Sequence, residues 1–564
     1  VRRDPENAPL ETYGFKVFYV PDFIPPDSVA GIDSLYPGTG FDHQWDDYDN
    51  DGDPDLYLVP PSSSESNRLY RNDGGRLFTD VTETSGASLA GWMCEGTSSG
   101  DIDNDGDIDL AVIADLTHPF LLKNRGDGSF DDVSESVGLT GGLLTPRSIG
   151  MTDVDTDGFL DLLVVAEDGI FLYRSRDGIF FENEAGVRGL PSWRSDFTDA
   201  LLFDADRDGD TDVLFIGNSG GFYSNESGYF VDRTSDSGLG MSTSSGTILD
   251  LGSDGDPDLL LNGAGDTLLL LENDGSGRFS DRSDDFGMSS ITGTNPVAAD
   301  FNNDGLTDIG FMDGDLFLLE EGERFLDVSV FSGISRIFSF VDADENGLVD
   351  VFMGMNRLSL NVGFPGGVEN NWLEADLVGR VNNRSGVGAV VILYAGDTMC
   401  MRIVSGSSPV PKRLSFGFEE EMPDSLVIRW PAGTVQVETD LMVNAITEIE
   451  EDSTLTSVED LSDPSRLPST IVMYQNYPNP FNPQTTISFE VGGEPGSVHE
   501  VNVTIYDVRG RHVKTLLDGK LEAGRHSVVW DGRSEAGGRV VSGVYFSTLQ
   551  TDAGRFTRKM TAIR

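Results

Sequence analysis

Short apolar runs punctuate the first two thirds of the chain, each bounded by Gly, Asn or Asp. LYLV at Leu56–Val59, LLVV at Leu162–Val165 and LLLL at Leu268–Leu271 are examples. Such runs between turn formers predict strands rather than helices, about four in each stretch of about 49 residues. A polar string returning seven times sets that interval. It reads DYDNDGDPD at Asp47–Asp55, DIDNDGDID at Asp101–Asp109, DVDTDGFLD at Asp153–Asp161 and DADRDGDTD at Asp204–Asp212. It continues as DLGSDGDPD at Asp250–Asp258, DFNNDGLTD at Asp300–Asp308 and DADENGLVD at Asp342–Asp350. The period falls in the propeller range, and four-stranded units repeated radially make a β-propeller.

A second element keeps phase with the first. A Phe stands eight residues before a Gly in Phe78/Gly86, Phe130/Gly138, Phe230/Gly238, Phe279/Gly287 and Phe325/Gly333, and the third repeat reads as a shortened Phe180/Gly186. After the seventh loop, strands are expected near Val349–Met353 and Arg357–Asn361, with no fourth before the next domain. At the N-terminus FKVFYV at Phe15–Val20 is strand-like, and Phe23 precedes Gly31 by the same eight residues. The N-terminal segment is therefore expected to supply the missing outer strand and close a seven-bladed ring. Pro25 and Pro26 suit an outer edge, where a missing N–H costs little.

The loops carry chemistry. Carboxylates at positions 1, 3, 5 and 9 converge, while Gly at position 6 permits the sharp turn. Dense oxygen donors without His or Cys select Ca²⁺. The expected ligands are Asp47, Asp49, Asp51, Asp53 and Asp55 in loop one, and Asp101, Asp103, Asp105, Asp107 and Asp109 in loop two. Loop three offers Asp153, Asp155, Asp157, Phe159 and Asp161, and loop four Asp204, Asp206, Asp208, Asp210 and Asp212. Loop five offers Asp250, Asp254, Asp256 and Asp258, and loop six Asp300, Asn302, Asp304, Leu306 and Asp308. Loop seven offers Asp342, Asp344, Asn346, Leu348 and Asp350. The variable position 7, with Phe159, Leu306 and Leu348, suits a ligand that uses only its backbone carbonyl. Gly252, Asn302 and Asn346 each cost a carboxylate, so loops five to seven should bind more weakly, loop five most of all. An EF-hand needs Glu at position 12; here that position holds Leu58, Val112, Val164, Phe215, Leu261, Phe311 and Met353, which excludes it. One acidic turn could be merely solvated; seven in phase point to calcium.

Over about Phe15–Val362 the sequence resembles the FG-GAP/VCBS repeat family, which implies an integrin-like propeller with calcium loops between adjacent strands of a blade. The resemblance implies a bracing role for the ions; bridging a ligand is a second role it leaves open. NNWLEADLVG at Asn370–Gly379, NNRSGVGAVV at Asn382–Val391, FGF at Phe416–Phe418 and IRWPAG at Ile428–Gly433 resemble the ASPIC/UnbV domain, although Glu419 follows FGF where that family has Leu-Gly. Alternation there predicts a small β-domain over 363–447, with Trp372 and Trp430 in its core. A polar stretch over 448–470 reads as a linker. NYPNPFNP at Asn476–Pro483, VTIYDVRGRHVKTL at Val503–Leu516, AGRHSVVWDGR at Ala523–Arg533 and SGVYFSTL at Ser542–Leu549 resemble the FlgD-like, immunoglobulin-type sorting domain of type IX secretion substrates. That resemblance, over 471–564, implies export across a bacterial outer membrane by the type IX machinery. The residues themselves predict a small sandwich. The fold class is thus all-β: propeller, small β-domain and sandwich.

Composition narrows the partners. The chain has 564 residues with 96 acidic against 38 basic side chains, a net charge of −58. That charge repels nucleic acid and anionic membranes, and no apolar run is long enough for a transmembrane helix. Two Cys build no disulfide framework. The chain opens at Val1 without a signal peptide, as expected of a processed chain or a fragment. Arg125-Gly126-Asp127 reads as an ordinary turn. GTSSG at Gly96–Gly100 and GNSGG at Gly217–Gly221 match a hydrolase motif in form but open no helix. Only His43 and His118 fall in the propeller, which weighs against a hydrolase, and His43 beside Trp45 reads as a packed strand residue. The expectation is a secreted or cell-surface calcium-binding protein that binds a glycan or a protein. A calcium-dependent polysaccharide-active enzyme and a structural surface component are the alternatives.

Overall fold

The computed structural model describes residues 42–452 and 472–562, apart from short stretches within each, together with Phe23, Ile24 and Ile32. The chain divides into two compact units, Val1–Leu455 and Thr456–Arg564.

In the first unit, seven four-stranded antiparallel sheets follow one another. The first runs Asp42–Asp46, Asp55–Val59, Arg68–Asn72, Phe78–Asp80. The runs Leu56–Val59 and Leu162–Val165 lie in second strands and Leu268–Leu271 in the third strand of sheet five, while the second strands Asp109–Ala114, Asp161–Ala166 and Asp212–Gly217 are buried at every position. A strand covered on both faces needs no polar alternate residues, hence continuous runs instead of a period of two. Outer strands such as Phe78–Asp80 and Phe130–Asp132 bury only their first residue. The seventh sheet, Ile337–Val341, Asp350–Met353 and Arg357–Asn361, takes Phe23–Ile24 as its fourth strand, with Phe23 opposite Asn361. Sheets one and seven also share a core: Trp45 meets Phe352 edge-on at 5.6 Å, and Asn72 Nδ2 donates to Ala343 O at 3.0 Å. Phe15–Val20, Pro25, Pro26, Gly31 and Gly333 lie outside the described residues.

The Phe–Gly spacing has a steric cause. A Cβ on Gly86 would lie 2.6 Å from Phe130 O of the next sheet, and one on Gly238 would lie 3.0 Å from Phe279 O. Both glycines end a helical turn (Thr82–Ser85, Thr234–Ser237) in the left-handed region. The third repeat is not shortened. Phe181, not Phe180, is the buried residue; Phe180 is 47% exposed, and Phe181 N donates to Val137 O just as Phe230 N donates to Arg188 O. Phe181 pairs with Gly189, eight residues on, where a Cβ would clash with Phe230 O.

The second domain holds two sheets. One places Asn371–Val378 between Leu414–Phe418 and the parallel strand Ala445–Glu450; the other runs Thr398–Ile403, Val390–Ala395, Ser425–Arg429, Val435–Glu438. Its last strand reaches Glu450, beyond the expected boundary at 447. Buried Glu451 then accepts the backbone N–H groups of Arg380, Val381 and Asn382 at 2.8–2.9 Å. Trp430 is a core residue, 1% exposed, but Trp372 is only half-buried and lies over Gly347 of loop seven. Cys94 and Cys400 are buried free thiols.

The second unit packs Val472–Met473, Thr485–Val491 and Gly524–Trp530 as one sheet. His512–Glu522, Val498–Asp507, Gly543–Thr551 and Arg555–Ala562 form the other. Both contribute to one core with Phe489, Ile505 and Trp530. NYPNPFNP, residues 476–483, lies outside the described residues.

Candidate metal centres

Each acidic loop joins the first strand of a sheet to the second, and its carboxylates build the turn. Position 4 is left-handed in all seven, at Asn50, Asn104, Thr156, Arg207, Ser253, Asn303 and Glu345, and the Gly two residues later follows suit. Two successive positive-φ steps reverse the chain, which is why Gly is needed at position 6. The position 1 carboxylate closes the turn: Asp47 accepts from Asp51 N at 3.1 Å and Gly52 N at 2.9 Å, and Asp101, Asp153, Asp300 and Asp342 do the same in their loops. Position 9 is a staple. Asp55 accepts from Tyr48 N at 3.1 Å and from Asn72 N of the third strand at 2.7 Å. Asp109, Asp161, Asp212, Asp258, Asp308 and Asp350 repeat it. Position 5 caps the N–H of position 7 in every loop.

The remaining oxygens converge. In loops one to four, positions 1, 3 and 9 each bring an oxygen within 4.8 Å of the others: Asp47/Asp49/Asp55, Asp101/Asp103/Asp109, Asp153/Asp155/Asp161 and Asp204/Asp206/Asp212. In loop five Asp254 at position 5 joins Asp250 and Asp258, so the loss of position 3 to Gly252 leaves three converging carboxylates. Position 7 side chains stand outside these groups. Asp107 accepts from Asn50 Nδ2 at 2.9 Å, Asp210 from Ser227 N at 2.7 Å, and Asp256 pairs with Arg207. Burial lifts the loop carboxyls: Asp47 and Asp101 to about 6, Asp153 to about 7, and Asp55, Asp109 and Asp258 to about 8, against the pull of their backbone N–H donors. Neighbouring carboxylates push the same way. A divalent cation relieves both strains, since metal binding displaces those protons.

Two sets of residues at the loops have no counterpart in the sequence reading. A base from the third strand reaches the acids of the first three: Arg71 is 3.9 Å from Asp49, Lys123 pairs with Asp103 and Asp105, and Arg174 with Asp155 and Asp157. The next residue is an Asn in five sheets, and it clamps one sheet to the loop of its predecessor. Asn124, Asn225, Asn273, Asn361 and Asn72 donate to Tyr48 O, Val154 O, Ala205 O, Phe301 O and Ala343 O, each a position 2 carbonyl. The recurring pairs Arg71-Asn72 and Lys123-Asn124 were the available signal.

The second domain covers the loops at the position 6 glycines. Gly52 O accepts from Arg413 Nη2 at 2.8 Å, and Gly305 O from the Cys400 thiol at 3.0 Å. Cβ atoms on Gly158, Gly209 and Gly255 would lie 2.8 Å from Val381 O, 2.9 Å from Pro431 O and 3.0 Å from Ile392 Cδ1. Gly106 faces the Arg384 guanidinium and Gly347 the Trp372 ring. Residues 405–407 and 411–413 reach the first strands. Gly406 O accepts from Met151 N, Ser407 bridges to Gly150, and Lys412 Nζ lies 2.5 Å from Asp46 and 2.6 Å from Ser99 Oγ. A cavity of about 790 Å³ remains, lined by first strands, by loops one and two, and by the second domain, including Glu374, Arg384 and Lys412.

The other motifs are structural. His43 is buried with Nε2 2.5 Å from Ser339 Oγ, Arg125 of the RGD string pairs with Asp131, and GTSSG is part of the strand Cys94–Gly100.

Residues 47–112, 101–164 and 250–311 match the FG-GAP-like repeat, 379–456 match ASPIC and UnbV, and 481–554 match the FlgD Ig-like domain. No curated protein matches the chain. Among solved structures it is similar to an Agrocybe aegerita lectin that recognises non-reducing terminal N-acetylglucosamine. Identity is 19%, covering 53% of this chain and 83% of that one, with a TM-score of 0.39. BBS1N in complex with ARL6DN is 10% identical over 62% of this chain and 99% of that one, TM-score 0.41. PorZ of Porphyromonas gingivalis, a surface component of its type IX secretion system, is 11% identical over 93% and 99%, TM-score 0.22. The chain carries FG-GAP β-propeller repeats, an ASPIC/UnbV domain and a FlgD Ig-like domain. Among the described residues no helix is long and apolar enough to cross a membrane.

Proposed function

We propose that this is a secreted or surface-attached bacterial binding protein, built on a seven-bladed propeller over about 15–362 that up to seven Ca²⁺ ions brace. The ligands are the acids at positions 1, 3, 5 and 9 and the position 7 carbonyl of each loop, with Asn302 and Asn346 standing in for acids. The converging, buried carboxylates at the same place in successive sheets carry this reading, because no internal cation neutralises them all. The ASPIC/UnbV domain caps the metal face, and the face that the cap leaves free binds an extracellular ligand, a glycan or a protein. The FlgD-like domain directs export by the type IX machinery; its sequence motifs support this. Ions that bind only the folded state stabilise it. The melting temperature of the calcium-loaded chain should therefore fall in excess EGTA and recover on adding Ca²⁺, and an unchanged curve refutes the bracing role.

One observation favours the enzyme reading. Burial raises the carboxyls of Asp199 and Glu95, both of which line the cavity, as a proton donor would require. Depolymerisation of a polysaccharide by the calcium-loaded chain, lost in Asp199→Asn, would establish it.

A further inference from the structure

The first strands of five sheets break register at the same place. The extra residue is Glu95 between Cys94 and Gly96, Arg147 between Pro146 and Ser148, and Thr198 between Phe197 and Asp199. Ser244 and Phe338 occupy the same place in sheets five and seven. A bulge turns a side chain out of its alternation and recurs beside functional sites. All five residues line the 790 Å³ cavity, a volume in the range of ligand pockets. They stand near the start of each first strand. The acidic loops follow the other end of these strands, where the second domain and Lys412 line the cavity. The cavity is thus a channel between the first strands, and the bulges line its mouth at the end away from the second domain.

The walls select a chemistry. Phe338 and Phe340 are half-buried on one side, and Asp42, Glu95 and Asp199 place carboxylates on others. A purely apolar ligand would desolvate the Glu95 and Arg147 side chains that line the cavity. A polyanion meets those carboxylates and a chain of net charge −58. A peptide adding along a strand edge meets the bulges, which break the ladder it would extend. A pyranose presents a C–H face to an aromatic ring and hydroxyls to carboxylate and guanidinium side chains, and fits all of these groups.

We infer that the channel mouth binds the end of a neutral oligosaccharide, with Phe338 under a sugar ring and Glu95 accepting its hydroxyls. This rests on the reading of the propeller as an extracellular binding module and names its ligand class and site. The test is calorimetry of the calcium-loaded full chain against neutral hexasaccharides (cello-, xylo-, manno- and chito-) and an anionic one (galacturono-). Phe338→Ala and Glu95→Gln should each weaken neutral binding about tenfold or more. Thr198→Trp, which fills the mouth, should abolish it, and Val231→Ala, exposed on the outer strand Phe230–Asp232, should leave it unchanged. Circular dichroism confirms that each variant folds. Neutral binding that ignores all three channel substitutions overturns the site and leaves the binding-module reading standing. Binding of the anionic sugar alone, or of none, overturns the ligand class, and the EGTA melt tests the calcium-braced module separately.

Discussion

Asn124→Ala tests whether the repeated Asn holds the sheets together. Asn124 is 2% exposed. Its Nδ2 donates to Tyr48 O at 2.8 Å and Ile108 O at 2.9 Å, and its Oδ1 accepts from Gly126 N at 3.0 Å. Alanine removes three hydrogen bonds and leaves two carbonyls and an N–H without these partners in a site with little room for water. Each bond contributes about 1 kcal/mol net, and a buried group left unpaired costs about 1–3 kcal/mol. Partial relaxation and water entry offset some of this, so about 3 kcal/mol is expected. The assay is urea unfolding at saturating calcium, read as a lower midpoint at unchanged slope. Ser276→Ala is the control: Ser276 Oγ donates to Asp274 at 2.6 Å in an exposed setting, worth about 0.5 kcal/mol or less. Because Tyr48 is position 2 of loop one, the variant should also weaken the calcium site nearest it. Equal effects of the two substitutions would refute the clamp.

Two further predictions follow from loop five and from the second domain. Gly252→Asp restores the acid that loop five lacks at position 3, yet Gly252 sits at φ +89° with nothing near its Cβ position. A left-handed Asp costs about 1–2 kcal/mol, so the calcium-free variant should melt below the wild type; a higher calcium-free melting temperature would refute the strain. Burial, reinforced by Asp342, lifts the Glu374 carboxyl to about 8. A carboxyl raised in the folded state stabilises below its unfolded value near 4.5, and that contribution is lost as pH rises through about 8. At constant calcium, Glu374→Gln should match the wild type near pH 5 and exceed it in stability near pH 9; parallel pH profiles would refute this.

The repeats were legible because coordination chemistry fixes carboxylate spacing, and a strand buried on both faces must be apolar throughout. The outer strand at Phe23–Ile24 was legible from a missing partner after Asn361. Elsewhere side-chain identity misled or was silent. Two adjacent Phe made the third repeat look short, and only packing shows that Phe181 is the buried one. The Asn clamps were hidden by variable hairpins: the Asn follows its position 9 Asp by 17 residues at Asn72 but by 11 at Asn361. Trp372 looked like core because aromatic residues in short strands usually are; it covers a glycine of loop seven instead.

The placement of the second domain was the least legible feature, and it bears most on function. Its contacts with the loops run largely through backbone: Val381 O, Pro431 O, the carbonyls of Gly52 and Gly305. Such contacts leave no residue pattern. Yet they bear on the two roles open to ions held in the loops. An ion that bridges an external ligand needs a coordination position facing solvent, and the position 6 glycines of all seven loops instead face the second domain. With that side covered, the ions would brace the propeller and stiffen the platform on which the domain sits. The five bulges stand at the other end of the first strands, away from the second domain, and the proposed ligand site lies there.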